Sequence, residues 1–202
     1  MRHLVIVGLS GMMCTAIIPS LHATDDQSQH AQSQHASPVG LVREVRLATE
    51  DFRDVNAAIA AGYASTGSCV TGPEKGAMGI HFAKAALIGD GLLDARAPEL
   101  LIYEQRNGKL RLVGVEFLVL ADAWNVANPD APPVLMGQHF HFVGSPNRYR
   151  LPAFYELHVW AWKDNPSGVF VDWNPEVSCA EYNPGGSALS NPVGGVGMRH
   201  GE

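Results

Sequence analysis

Four histidines and two glutamates stand in runs that are otherwise largely apolar: Gly79-Ile80-His81-Phe82, Gly114-Val115-Glu116-Phe117, Gln138-His139-Phe140-His141-Phe142 and Glu156-Leu157-His158-Val159-Trp160. An ionised group taken alone out of water costs several kcal/mol, so such side chains must find one another, a metal or water. Imidazole and carboxylate donors together suit a divalent transition metal, Zn, Mn, Fe or Cu. The expected ligands are His81, Glu116 and His158, with His139 or His141 completing the shell. Glu156 is then the candidate catalytic residue, a general base toward a metal-bound water.

Strand periodicity places these residues on faces. Leu110, Leu112, Gly114, Glu116 and Leu118 alternate with Val113, Val115, Phe117 and Val119, so the segment is apolar on both sides and Glu116 is the exception that needs a partner. A purely structural pairing with Arg148 or Arg150 is the alternative. Gly114 beside Glu116, and Gly79 and Ala83 beside His81, leave space for a ligand or another backbone. His139 and His141, two residues apart, share a face and can converge on one ion. Glu156, His158, Trp160 and Trp162 share another, opposite Tyr155, Leu157 and Val159. A second reading follows from that mixture: Trp160, Trp162, Trp173 and Tyr155 form an aromatic wall for an unidentified small organic molecule, with no metal. A third reading is a structural or interaction protein whose polar strand residues satisfy one another.

The elements that must carry these residues are few. Thr49 is a helix cap followed by Glu50 and Asp51 at the positive end, Phe52, Val55 and Ile59 form an apolar stripe, and Gly62 ends the helix. Leu100 to Glu104 and Leu110 to Leu120 flank Asn107-Gly108, a strong hairpin signal. Further strands are expected near 78–83, 135–143, 155–163 and 169–173, separated by turns at Asn128-Pro129, Pro132-Pro133, Asn165-Pro166 and Asn174-Pro175. The fold class is α+β: one amphipathic helix followed by a largely antiparallel sheet, able to curl into a barrel.

Arg2 precedes an apolar run from Leu4 to Ile18 with a cleavage point after Ala23, which reads as a signal peptide over 1–23. Residues 24–37, rich in Gln, Ser, Asp and His, read as a flexible leader, 38–182 as a single domain and 183–202 as a Gly/Pro-rich tail. The mature chain is expected to be extracytoplasmic, periplasmic or secreted, with no membrane contact after cleavage. Loss of Arg2 takes the formal charge from −6 to −7, which disfavours nucleic acid as a partner. It also leaves Cys69 and Cys179 as the last two of three cysteines, and two cysteines in an oxidising compartment read as one disulfide. No Gly-x-Ser-x-Gly elbow, Walker loop or His-Glu-x-x-His helix is present.

The blocks Gly76-Ala77-Met78-Gly79-Ile80-His81-Phe82, Leu112-Val113-Gly114-Val115-Glu116-Phe117, Leu157-His158-Val159-Trp160-Ala161-Trp162 and Trp173-Asn174-Pro175-Glu176-Val177-Ser178-Cys179 resemble those of a family of exported bacterial proteins of unassigned function. The resemblance spans nearly the whole core and implies one exported domain. It places His81, Glu116 and His158 in motif blocks and leaves His139 and His141 outside them.

Overall fold

The computed structural model describes residues 38–72 and 74–185. The proposed signal peptide, the leader with His30 and His35, and the tail from residue 186 onward lie outside the described residues. Pro38–Thr49 is a helix (α1) opened by a proline at its first position, where no backbone donor is lost. Leu41, Val45 and Thr49 recur every four residues on its buried side, and the Thr49 hydroxyl donates back to the Val45 carbonyl. Thr49 therefore closes a helix rather than opening one. The next helix is Val55–Ala60 (α2), after a 3₁₀ turn at Asp51–Arg53, and its cap is Asp54, whose carboxylate accepts from the Asn56 backbone N–H. The stripe Phe52, Val55 and Ile59 does face the core, but across a break in the helix at Asp54. Gly62 follows with φ 94°, a left-handed conformation that favours glycine.

Six antiparallel strands follow in one sheet curled into a half-barrel: Ala64–Gly72 (β1), Gly76–Ala83 (β2), Leu100–Arg106 (β3), Lys109–Leu120 (β4), Phe154–Val159 (β8) and, at the edge, His141–Val143 (β7). Val134–Leu135 (β5) and Gln138–His139 (β6) form a separate two-stranded ribbon. Short helices at Ala85–Ile88 (α3) and Ala121–Ala127 (α4) complete the elements. The β3–β4 hairpin turns at Asn107 and Gly108, both with positive φ, as the Asn-Gly signal requires. β1 escapes sequence reading because Ala64-Ser65-Thr66-Gly67-Ser68 is small, polar and mostly exposed. The expected strand at 169–173 is instead an irregular strap.

The two sheet faces differ. Leu101, Tyr103, Val115, Phe117, Leu157 and Val159 pack with Leu41 and Val45 of α1 in the main core. The other face carries two smaller apolar clusters, one around Ile102, Val113 and Trp160, the other around Leu100, Leu118 and Phe154. A bulge in β4 sets which residues face which side, because Ile102 pairs with Gly114 while Tyr103 pairs with Leu112, leaving Val113 extra. Leu110 and Leu112 consequently join the main core, opposite Glu116, where uninterrupted alternation would put all three together.

The strap after β8 is tied to the sheet at several points. Trp160 donates through its backbone N–H to the Val169 carbonyl and through its indole to the Val171 carbonyl. Buried Asn174 exchanges two backbone hydrogen bonds with Ala77. A disulfide joins Cys69 of β1 to Cys179 across 110 residues of sequence. A loop of that size is constrained by about 4–5 kcal/mol in the chain-entropy treatment. Cys69→Ser is expected to lower unfolding free energy in urea by about that amount, whereas a loss below about 1 kcal/mol would show that the strap holds without its staple.

Candidate metal centre

Sheet register builds the site. Glu116 of β4 is paired directly with His158 of β8, and the next row pairs Leu118 with Glu156 and Glu156 with His141 of β7. Residues paired across strands share a face. Two strands away, β2 brings His81 to the same face, and its Nε2 lies 3.2 Å from Glu116 Oε2. His158 Nε2 lies 3.8 Å from that same oxygen. One ligand atom from each of His81, Glu116 and His158 falls within 4.8 Å of the others, and Glu156, His158 and Asp172 form a second group by the same measure.

The backbone comes unusually close at the site. A Cβ on Gly114 would stand 2.8 Å from the Val159 carbonyl oxygen, and one on Gly79 would stand 2.8 Å from that of Tyr103. The space beside both glycines is filled by neighbouring strands, not left for a ligand. The open space is elsewhere. A cavity of about 390 Å³ has His81, Glu116 and Glu156 in its wall, with Leu100, Phe154 and Arg148 among the other lining residues.

His158 is 1% exposed and neither ring nitrogen has a hydrogen-bond partner among the described residues. Its Nδ1 stops 3.5 Å from Asp172 Oδ1, without hydrogen-bond geometry. A buried polar group left unpaired costs about 1–3 kcal/mol. Glu116 is 5% exposed and has no lysine or arginine against it among the described residues. Arg148 is instead exposed, donates to the Thr71 carbonyl and lies over the Tyr149 and Trp173 rings, and Arg150 is exposed as well. Pairing of Glu116 with either arginine is thus replaced by pairing with two imidazoles. Glu104, also buried, is compensated in a different way: Lys163 at 2.8 Å, Arg106 at 3.0 Å and the Ser178 N–H at 2.9 Å surround it.

Charge is concentrated here. Burial works against the Glu116 carboxylate, but His158 and His81 outweigh it and hold its pKa below the ordinary value. Burial, reinforced by the Glu116 charge, pushes the Glu156 carboxyl up to about 8. For His158, burial disfavours the cation, yet Glu116, Asp172 and Glu156 together raise its pKa to about 9. Asp172 stays below its ordinary value despite burial, through His158 and His141. The arrangement is a pocket of carboxylates that demands positive charge, from a proton on His158 or from a cation.

The remaining sequence candidates are dispersed. His139 is exposed in the β5–β6 ribbon opposite Val134, and buried Phe140 interrupts the chain before His141, so the two histidines belong to different sheets and do not converge. His141 reaches Asp172 at 3.1 Å on the outer side of His158. Trp160 stacks on His158 at 6.4 Å between ring centroids. Trp162 turns to the helix side and donates to Thr49, Tyr155 donates to Asn125, and Trp173 packs over Gly72, so the four aromatics form no common wall. Asp172 is the residue missed from sequence. Its segment reads as a strand, and only the tethering of the strap by Trp160 and Asn174 turns it toward His158.

Comparison with known proteins finds no matching family model, curated protein or solved structure. Any functional reading therefore stands on the site itself.

The titrations carry a stability consequence for metal-free protein. The folded chain keeps the Glu156 proton to about pH 8 and the His158 proton to about pH 9, while the ordinary values of 4.5 and 6.5 govern the unfolded chain. The folded state binds more protons between these limits, so stability falls as pH rises through that window. Melting temperature in chelator is expected to drop between about pH 6 and pH 9, and a rise over that interval would contradict the charge assignments.

Proposed function

We propose that the chain binds one divalent transition metal through His81, Glu116 and His158, and that the bound metal acts on a small molecule held in the adjoining cavity. The observation that carries this reading is His158, fully buried with no hydrogen bond at either ring nitrogen, beside a carboxylate that no arginine or lysine among the described residues neutralises. The spacing fits. Ligand bonds of 2.0–2.2 Å in tetrahedral geometry set neighbouring ligand atoms about 3.4 Å apart. The separations of 3.2 and 3.8 Å from Glu116 Oε2 bracket that figure.

Glu156 is the group suited to move a proton. It lies in the cavity wall beside Glu116, and its raised pKa lets it hold or release a proton near neutrality. The metal would supply Lewis acidity, and the cavity would exclude bulk water from the reacting group. A binding module that recognises its ligand through stacked tryptophans is less supported, since none of Trp160, Trp162, Trp173 or Tyr155 lines the cavity. The disulfide suits an exported protein, and no described helix is long and apolar enough to cross a membrane.

Protein purified without chelator is expected to contain about one metal ion per chain by elemental analysis. Glu116→Gln and His158→Ala should lose most of it while staying folded, and Glu156→Gln should keep it. Wild-type protein that stays metal-free after exposure to Zn, Mn, Fe and Cu would end this reading. So would undiminished metal in both ligand variants.

A further inference from the structure

A histidine that offers one ring nitrogen to a metal is normally held by a hydrogen bond from the other, and the acceptor of that bond decides which way the ring faces. His158 presents Nε2 to Glu116 and Nδ1 to Asp172. Glu156, the other acidic residue of that group, lies on the cavity side with Glu116. Asp172 stands on the far side of the ring from Glu116.

Its placement is over-determined by the strap. One residue earlier, the Val171 carbonyl accepts from the Trp160 indole at 2.6 Å, and two residues later Asn174 is locked to Ala77 by paired backbone bonds. Trp160 is the same ring that stacks on His158, so one side chain fixes both the imidazole plane and the segment that carries its partner. From the surface, His141 Nδ1 meets Asp172 Oδ1 at 3.1 Å. The carboxylate is thus held between an exposed imidazole and a buried one.

We propose that Asp172 is the positioning residue of the centre. It accepts the Nδ1–H of His158 and fixes that ring with Nε2 turned toward Glu116 and His81, while His141 clamps the carboxylate from outside. The inference rests on the metal reading above. With Nε2 as a ligand, Nδ1 is the ring's one proton-bearing nitrogen, and Asp172 Oδ1 at 3.5 Å is the carboxylate oxygen that faces it.

Cobalt(II) titration of the full chain, followed by its visible absorption, tests this. Wild-type protein should bind with a defined ligand-field spectrum. Asp172→Ala should keep its melting transition, bind cobalt about 10- to 100-fold more weakly and show a shifted spectrum, since a ligand ring that loses its anchor changes both affinity and geometry. Asp172→Asn keeps an acceptor oxygen without the charge and should recover part of the affinity; it decides the matter should Asp172→Ala not fold. Wild-type affinity and spectrum in the folded variants would overturn the positioning role and leave the metal reading standing. Failure of wild-type protein itself to bind cobalt would overturn both.

Discussion

The structure is organised around the cost of burying the Glu116 carboxylate in a sheet that is apolar on both sides. An uncompensated buried charge of this kind is worth several kcal/mol against folding. Ordinary solutions are available in the same chain, as Glu104 shows with its lysine, arginine and backbone donor. Glu116 is instead given two imidazoles, and one of these has no hydrogen-bond partner of its own among the described residues. A chain that needed only to neutralise a carboxylate would gain more from an arginine, whose five donors saturate it. Imidazoles become the better choice when the carboxylate shares a metal ion with them, because a neutral imidazole nitrogen can coordinate a cation and an arginine cannot.

Several features outside the site serve that placement. The β4 bulge turns Glu116 to the face away from the helices, and close approach at Gly114 and Gly79 draws β4, β8, β2 and β3 together so that side chains from separate strands meet. The strap, tethered by Trp160 and Asn174 and stapled through Cys179, then covers the sheet face that the helices leave open. The cavity is what remains between the Glu116 face of the sheet, β1 and the loop bearing Arg148 and Tyr149. Site and fold are in this sense one construction.

Much of this was legible in the residues and some was not. Period-two alternation around Glu116 and His158, the Asn107-Gly108 turn and the two-cysteine count needed only local rules, and the α+β sheet with its disulfide follows from them. Thr49 misleads because threonine both opens and closes helices, and its contact with Trp162 is tertiary. His139 and His141 mislead because the strand expected over 135–143 is broken by a turn at Met136-Gly137 and by buried Phe140, so alternation stops applying. Asp172 was invisible for a different reason: no local pattern announces a carboxylate that acts through a neighbour 14 residues earlier in the chain.

The most direct measurement is a crystal structure of metal-loaded protein with anomalous scattering collected at the absorption edge of the bound ion. One peak is expected on the face of the sheet opposite α1, about 2.0–2.2 Å from His81 Nε2, Glu116 Oε2 and His158 Nε2. A peak at His139, or at the exposed His141 alone, would contradict it.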